Sequence, residues 1–241
     1  MPDTSTFQAS GADVLAPSVF DSAPDVVAGF TLRSFAPADL AREAVRERLG
    51  ARVGFDRVAS VGQVHGADVA TVWGGGHVEA HDGVVTAERG VLLTTVAADC
   101  ALVLLADAEV GVVGACHSGW RGTVAGVTAN TIAAMRALGA QPRRIRAYLA
   151  PCISTEAFEV GEEVAAQFRP EAVARRAGWP RPHVDLRGEL VGQLARAGVA
   201  EAHIEASTAC TLREPGRFYS YRGEGGTPGR MLGFIGLRAG G

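Results

Sequence analysis

The stretch VLLTTVAADCALVLLADAEVGVVGACHSGWRG, residues 91–122, decides the fold class. Val91–Val96, Ala101–Ala106 and Gly111–Cys116 are apolar, β-rich runs of strand length. Thr123–Leu138 follows with helical spacing and stops at Gly139, a residue suited to close a helix. No helix separates the three runs, so neighbouring strands follow one another directly. That pattern predicts an α/β fold with mixed sheets, not a purely parallel doubly wound sheet.

Upstream, Val26–Thr31 reads as a strand and Pro37–Leu49 as a helix stopped by Gly50. Val58–Val64 and Val69–Trp73 read as strands around a tight corner at His65-Gly66, and Gly74–Gly76 as a flexible loop. Downstream, Arg146–Leu149, Ile204–Ser207 and Met231–Leu237 read as strands, with a Gly-rich loop, Gly223–Gly229, before the last. Val160–Phe168 and Leu186–Ala197 read as helices, the second capped by Asp185. Residues 1–20 are small and polar and predict a loose N-terminal arm; residues 21–241 predict a single catalytic domain, with Pro170–Pro182 an excursion within it.

All 23 basic residues are arginine. The absence of lysine excludes a Schiff-base lysine, a covalent pyridoxal-phosphate site and a P-loop. A net charge of −3 gives no sign of a nucleic-acid partner. The first residues lack a basic segment followed by an apolar one, and no run is long and apolar enough to span a membrane, so a cytoplasmic protein is expected. The four cysteines, Cys100, Cys116, Cys152 and Cys210, form no C-x-x-C pair and are not a disulfide framework.

Three residues at strand ends or kinks draw attention. His117 ends the Gly111–Cys116 run, just before Arg121 and a helix start, and a helix N-terminus with a bidentate arginine suits anion chemistry. Cys100 sits at a strand break and His65 at a strand corner. Taken singly, a buried cysteine is most often a small hydrophobe and a turn histidine a satisfied polar group. Taken together, two imidazoles and a thiolate make a catalytic zinc set with a fourth position open to water. Cys100 as a nucleophile with His117 as its base is the other reading, and the second histidine favours the metal. The deaminase pattern of His-x-Glu with Pro-Cys-x-x-Cys is absent, because Gly66-Ala67 follow His65 and Cys152 has no partner two residues on. Arg217-Phe218-Tyr219-Ser220-Tyr221-Arg222, ahead of Arg230, is either an amphipathic strand or a source of ring stacking and anion contacts.

These segments carry a resemblance: Gln63-Val64-His65-Gly66-Ala67-Asp68-Val69, Ala98-Asp99-Cys100, Ala115-Cys116-His117-Ser118-Gly119-Trp120-Arg121-Gly122, Ala150-Pro151-Cys152-Ile153 with Phe158-Glu159-Val160-Gly161, and Phe218-Tyr219-Ser220-Tyr221-Arg222 before Gly229-Arg230. From about Val26 to the C-terminus the chain resembles the laccase-domain or multicopper polyphenol oxidase family, also described as zinc-dependent purine nucleoside phosphorylases and labelled peptidoglycan editing factor. The resemblance implies a four-layer α/β/β/α sandwich with mixed sheets, like cysteine-hydrolase toxin domains. It puts the zinc ligands at His65, Cys100 and His117. It implies phosphorolysis of adenosine, inosine, guanosine and methylthioadenosine, with deamination of adenosine, so purine nucleosides and inorganic phosphate are the expected partners. Arg33, Arg121, Arg222 and Arg230 are the expected substrate and phosphate contacts. The chain departs from the family pattern at Ala28, across Ser34–Leu40, at Phe158 and at Pro228.

Rival readings are a copper polyphenol oxidase and an editing amidase acting on muramyl nucleotide precursors. Several coppers need many histidines, and of the six here His77, His81, His183 and His203 are scattered. Asp82, Asp99 and Glu159 are the carboxylates to weigh as a general acid.

Overall fold

The computed structural model describes residues 13–226 and 228–240. Its strands, in chain order, are β1 (Val14–Leu15), β2 (Val26–Thr31), β3 (Arg57–Gly62), β4 (Val69–Thr71), β5 (Gly76–Glu79), β6 (Gly83–Thr86) and β7 (Val91–Ala97). They continue as β8 (Ala101–Asp107), β9 (Val112–Ser118), β10 (Arg146–Leu149), β11 (Val173–Ala174), β12 (His183–Val184), β13 (Ile204–Ala206) and β14 (Met231–Leu237). The α-helices are α1 (Arg42–Val53), α2 (Trp120–Ala125), α3 (Val127–Ala137), α4 (Glu162–Ala165), α5 (Leu186–Arg196) and α6 (Tyr221–Glu224).

Two six-stranded sheets carry the architecture, in the orders β1-β2-β14-β7-β3-β5 and β13-β10-β8-β9-β6-β4. Both are mixed. In the first, β14 runs antiparallel to β2 and β7, while β3 runs parallel to β7 and β5. In the second, β8, β9 and β6 form antiparallel pairs, flanked by parallel β4–β6 and β10–β13.

The apolar runs around residue 100 are continuous because both faces of each strand are buried. Val91 and Leu93 point into the core between the sheets, with Phe30, Leu102, Leu104 and Ile235. Leu92, one residue out of phase, packs beneath α1 with Phe35, Leu49 and Phe234. On the other sheet Val103 and Leu105 point away from the central core, towards Ile132, Met135, Leu190 and Leu194 of α3 and α5.

Several expected boundaries move, each for a visible reason. The first helix starts at Arg42, not Pro37, and runs through Gly50 to Val53, stopping at Gly54 with φ 81°. Gly50 is kept because a Cβ there would lie 2.6 Å from the Phe55 carbonyl oxygen. The single helix expected over Thr123–Leu138 is two, divided at Gly126, whose φ is 85°. The helix expected over Val160–Phe168 shortens to Glu162–Ala165, and Gly76, expected in a loop, opens β5. Asp185 caps α5 as expected, accepting from the Gly188 N–H at 2.9 Å. Of the expected N-terminal arm, residues 1–12 lie outside the described residues. Residues 13–20 are held: β1 pairs with β2, and the Glu205 carboxylate accepts from Ser18 Oγ and the Val19 N–H. Among the described residues, no helix is long and apolar enough to cross a membrane.

Candidate metal centre

His65 and Cys100 both lie where the chain passes from one sheet to the other, between β3 and β4 and between β7 and β8. His117 lies within β9, opposite Leu102 of β8. Strand ends from two stacked sheets therefore meet at one edge, and the residues at those ends converge.

Asp82, immediately before β6, organises two of them. Its side chain is fully buried and its Oδ1 lies 2.8 Å from His117 Nδ1. The same carboxylate accepts the backbone N–H groups of Val64 at 3.0 Å, His65 at 3.1 Å and Gly66 at 2.7 Å. These bonds hold His65 at φ 62°, a left-handed conformation that a non-glycine residue rarely takes. Burial pushes the Asp82 carboxyl up, but the His117 hydrogen bond and the backbone N–H groups outweigh it and hold the group below its ordinary value. With Nδ1 turned to Asp82, His117 presents Nε2 to the site.

Asp99 fixes the third. It turns the chain at φ 82° directly before Cys100. Its carboxylate accepts from Thr211 Oγ1 at 2.6 Å, Ser220 Oγ at 3.0 Å and the Arg222 N–H at 2.7 Å. The strand break that presents Cys100 is thus tied to the loop before β14.

The ligand atoms of His65, Cys100 and His117 all lie within 4.8 Å of one another. The imidazole rings meet edge to face, 4.9 Å between centroids. Gly119 leaves the space they need, because a Cβ there would stand 2.8 Å from Cys100 Sγ and 3.2 Å from His65 Cδ2. Burial pushes the Cys100 thiol up, but hydrogen bonds and charge from His117 and His65 overcome it and bring the group to about 6. Burial lowers His117, and its bonds to Asp82 and Cys100 raise it to about 9. A thiolate with two imidazoles, one backed by a carboxylate, is a donor set that could hold zinc or copper.

The arginines expected at the site are placed differently from one another. Arg33 bonds to the carbonyls of Pro215 and Phe218, and its guanidinium covers the Tyr219 ring at 4.4 Å. Arg222 gives its backbone N–H to Asp99 and a side-chain N–H to the Glu159 carbonyl at 3.1 Å. Arg230 is half-buried, bonded to the carbonyls of Pro228 and Gly229. Arg121 is exposed on α2 and stacks on Trp120 at 4.3 Å. The helix start expected after Arg121 comes before it instead: α2 begins at Trp120, takes Arg121 into its first turn and is closed after six residues by Gly126. Among the acids weighed, Asp82 and Asp99 have their oxygens taken up by donors, and Glu159 lies 3.9 Å from Arg181 on the rim. Sequence reasoning named Asp82 only as an acid and missed its orienting role. The signal was an aspartate directly before a buried strand of small residues, Gly83–Thr86.

Comparison with known proteins shows the family of the chain. Residues 38–238 match the family model described as multi-copper polyphenol oxidoreductase laccase. A purine nucleoside phosphorylase of Deinococcus radiodurans is 46% identical over 198 residues, covering 80% of this chain and 76% of the relative. Adenosine deaminase RL5, from an unknown prokaryotic organism, is 35% identical over 161 residues, 64% of this chain and 62% of the relative. The crystal structure of YlmD from Geobacillus stearothermophilus superposes with a TM-score of 0.85 at 30% identity, covering 97% of this chain and 99% of that one. By sequence and by fold, the chain belongs to the multi-copper polyphenol oxidoreductase laccase family.

Proposed function

We propose that this chain is a zinc-dependent purine nucleoside phosphorylase, acting on adenosine, inosine, guanosine and methylthioadenosine, with adenosine deaminase activity at the same site. The observation that carries the reading is the convergence of His65, Cys100 and His117 around one point, with Asp82 aligning both histidines. Relatives named for phosphorolysis and for deamination support it.

His65, Cys100 and His117 would hold the ion, which when bound supplies Lewis acidity towards an oxygen or nitrogen of the substrate. The chain's own residues do the rest. Asp82 stays ionised, keeps the proton on His117 Nδ1 and leaves Nε2 as the ligand atom. Tyr221, 57% exposed beside Arg222, offers a ring face to the purine. Arg33, Arg121, Arg222 and Arg230 supply charge for the phosphate and the ribose end. In phosphorolysis an oxygen of dihydrogen phosphate bonds to the anomeric carbon as the bond from that carbon to the base nitrogen breaks, and the base leaves with a proton that the phosphate gives up.

Copper is the alternative ion. Among the described residues one group of three such ligands forms, whereas laccase chemistry needs several coppers, and that favours zinc. The three cores, one between the sheets and one under the helices on each side, support the four-layer α/β/β/α description and a single catalytic domain over residues 21–241, to which residues 13–20 are joined through β1; the likeness to cysteine-hydrolase toxin domains is proposed on the family resemblance. Four free thiols suit a cytoplasmic setting.

The test is adenosine incubated with pure protein, with and without phosphate. Adenine and ribose 1-phosphate should form only with phosphate, and inosine should form without it. Both activities should vanish on chelation and return with zinc. Phosphorolysis that survives complete removal of the metal would overturn the reading.

A further inference from the structure

A cleft of about 250 Å³ lies between the segment leading into α1 and the turn leading into β14. Ala36, Leu40, Arg42, Val96, Gly229 and Arg230 are among the residues that line it. It opens at the same end of the first sheet as the metal group. Val96, the last residue but one of β7, lies four residues before Cys100, and Gln63, two residues before His65, clasps the Val96 backbone with bonds of 2.7 and 2.8 Å.

The cleft gathers positive charge that no ion pair among the described residues neutralises. Arg42 is the first residue of α1, where the helix dipole disfavours a cation, and Ala41 gives the helix no side-chain cap. Arg46 lies one turn on, and like charges four residues apart on a helix repel. Among the described residues the Arg46 Nε is buried without a hydrogen-bond partner, and no carboxylate forms an ion pair with Arg42, Arg46 or Arg230. Burial, and after it the charge of Arg42, holds both the Arg46 and the Arg230 guanidinium below the usual arginine range, although Glu43 partly offsets this at Arg46, and Cys100, Tyr221 and Asp99 at Arg230. The Arg230 N–H groups turned to Pro228 and Gly229 fix its head in the cleft wall. An uncapped helix start, two guanidinia facing one small cleft and a third behind them all become favourable when a compact anion enters.

We propose that Arg42 and Arg230, with the first-turn N–H groups of α1 and the charge of Arg46, form a phosphoryl-anion subsite beside the metal group. It takes inorganic phosphate on the way in and holds the phosphoryl group of a pentose 1-phosphate on the way out. The naming of those two ligands rests on the phosphorolysis reading; the subsite itself rests on the cleft and its charges.

The experiment is calorimetric titration of the metal-loaded protein with inorganic phosphate, for wild type and for Arg42→Gln, Arg42→Lys and Arg230→Gln, with circular dichroism to check the fold. Each Gln variant should weaken phosphate binding by about tenfold or more, and Arg42→Lys by less. The half-saturating phosphate in the phosphorolysis assay should rise by a similar factor. Arg42 is exposed, so its variants decide the matter if Arg230→Gln misfolds. A wild type that does not bind phosphate, or Arg42 variants that bind it as wild type does, would overturn the subsite. Phosphate binding lost in the variants, with no pentose 1-phosphate formed by wild type, would keep the subsite and remove the phosphorolysis reading. Phosphorolysis with an unchanged phosphate requirement in the variants would do the reverse.

Discussion

Asp82 reaches both histidines of the metal group at once: its Oδ1 lies 2.8 Å from His117 Nδ1 and 3.1 Å from the His65 N–H. One buried carboxylate therefore fixes a ring and a main-chain turn that come from different parts of the sequence. Outer partners of this kind align metal ligands and raise their basicity, and their loss typically costs about 10–100-fold in metal affinity. Asp82→Asn replaces an acceptor oxygen with a donor where donors already crowd in. Zinc affinity, measured by competition with a chromophoric chelator, should fall within that range. An unchanged affinity would show that His65 and His117 hold their places without it.

Gly119 tests the packing of the site directly. A methyl group there would stand 2.8 Å from Cys100 Sγ, and real Cβ atoms do not come that close. Its φ of −66° is open to alanine, so the effect is contact and not backbone strain. Gly119→Ala should keep its far-UV circular dichroism and, after incubation with zinc, retain far less of it than wild type by elemental analysis. Full metal content in a folded Gly119→Ala protein would mean that the three ligands are not the binding group.

Much of this was legible in the sequence, for definite reasons. Val91–Ala97, Ala101–Asp107 and Val112–Ser118 are buried on both faces, so their apolar runs announce strands whatever the partner. His65, Cys100 and His117 stand out as reactive residue types at the ends or kinks of such runs. The short strands β5 and β6 were missed: Gly76–Glu79 is largely exposed, and Gly83–Thr86 is too short to show a period. The break at Gly126 was hidden because apolar spacing continues across it and only the left-handed backbone reveals it. Asp82 carried only the weak signal of its place before a buried strand, and Asp99 none, since apart from the His117 ring their partners are backbone N–H groups and distant hydroxyls that carry no pattern in the chain.

The two shifted groups make a prediction about protons. Without an ion, Cys100 titrates at about 6 and His117 at about 9, so between those values a thiolate faces an imidazolium. The depressed thiol adds stability above its unfolded value of about 8.5 and loses it as pH falls towards 6. The raised imidazole adds stability below its unfolded value of about 6.5 and loses it as pH rises through about 9. A metal ion needs the thiolate and a deprotonated His117 Nε2, so binding in this window should release about one proton. Titrating stripped protein with zinc near neutral pH, in buffers of different ionisation enthalpy, measures that proton. With one proton released, affinity should fall about tenfold per unit as pH drops from about 9 to about 6, and more steeply below, where Cys100 takes up its own proton; no release in the window would mean that His117 is already neutral.

Asp99 offers a test of the scaffold apart from the metal. Its carboxylate accepts three donors, from Thr211, Ser220 and Arg222, and is nearly buried. Asn fits the same left-handed backbone, so Asp99→Asn isolates the hydrogen bonds from the φ of 82°. The amide keeps one acceptor oxygen and turns an N–H pair towards a donor, leaving at least one buried group unpaired at a cost of about 1–3 kcal/mol. For a chain of this size each kcal/mol lowers the Tm by about 2–4 °C. Asp99→Ala should fall further, because alanine adds about 1–2 kcal/mol of left-handed strain. Local opening should appear first as faster amide exchange at Arg222 and Gly223, ahead of the strands β7 and β8. If Asp99→Asn matched wild type in both Tm and exchange, the loop before β14 would owe its position to the Arg33 contacts with Pro215, Phe218 and Tyr219, and not to Asp99.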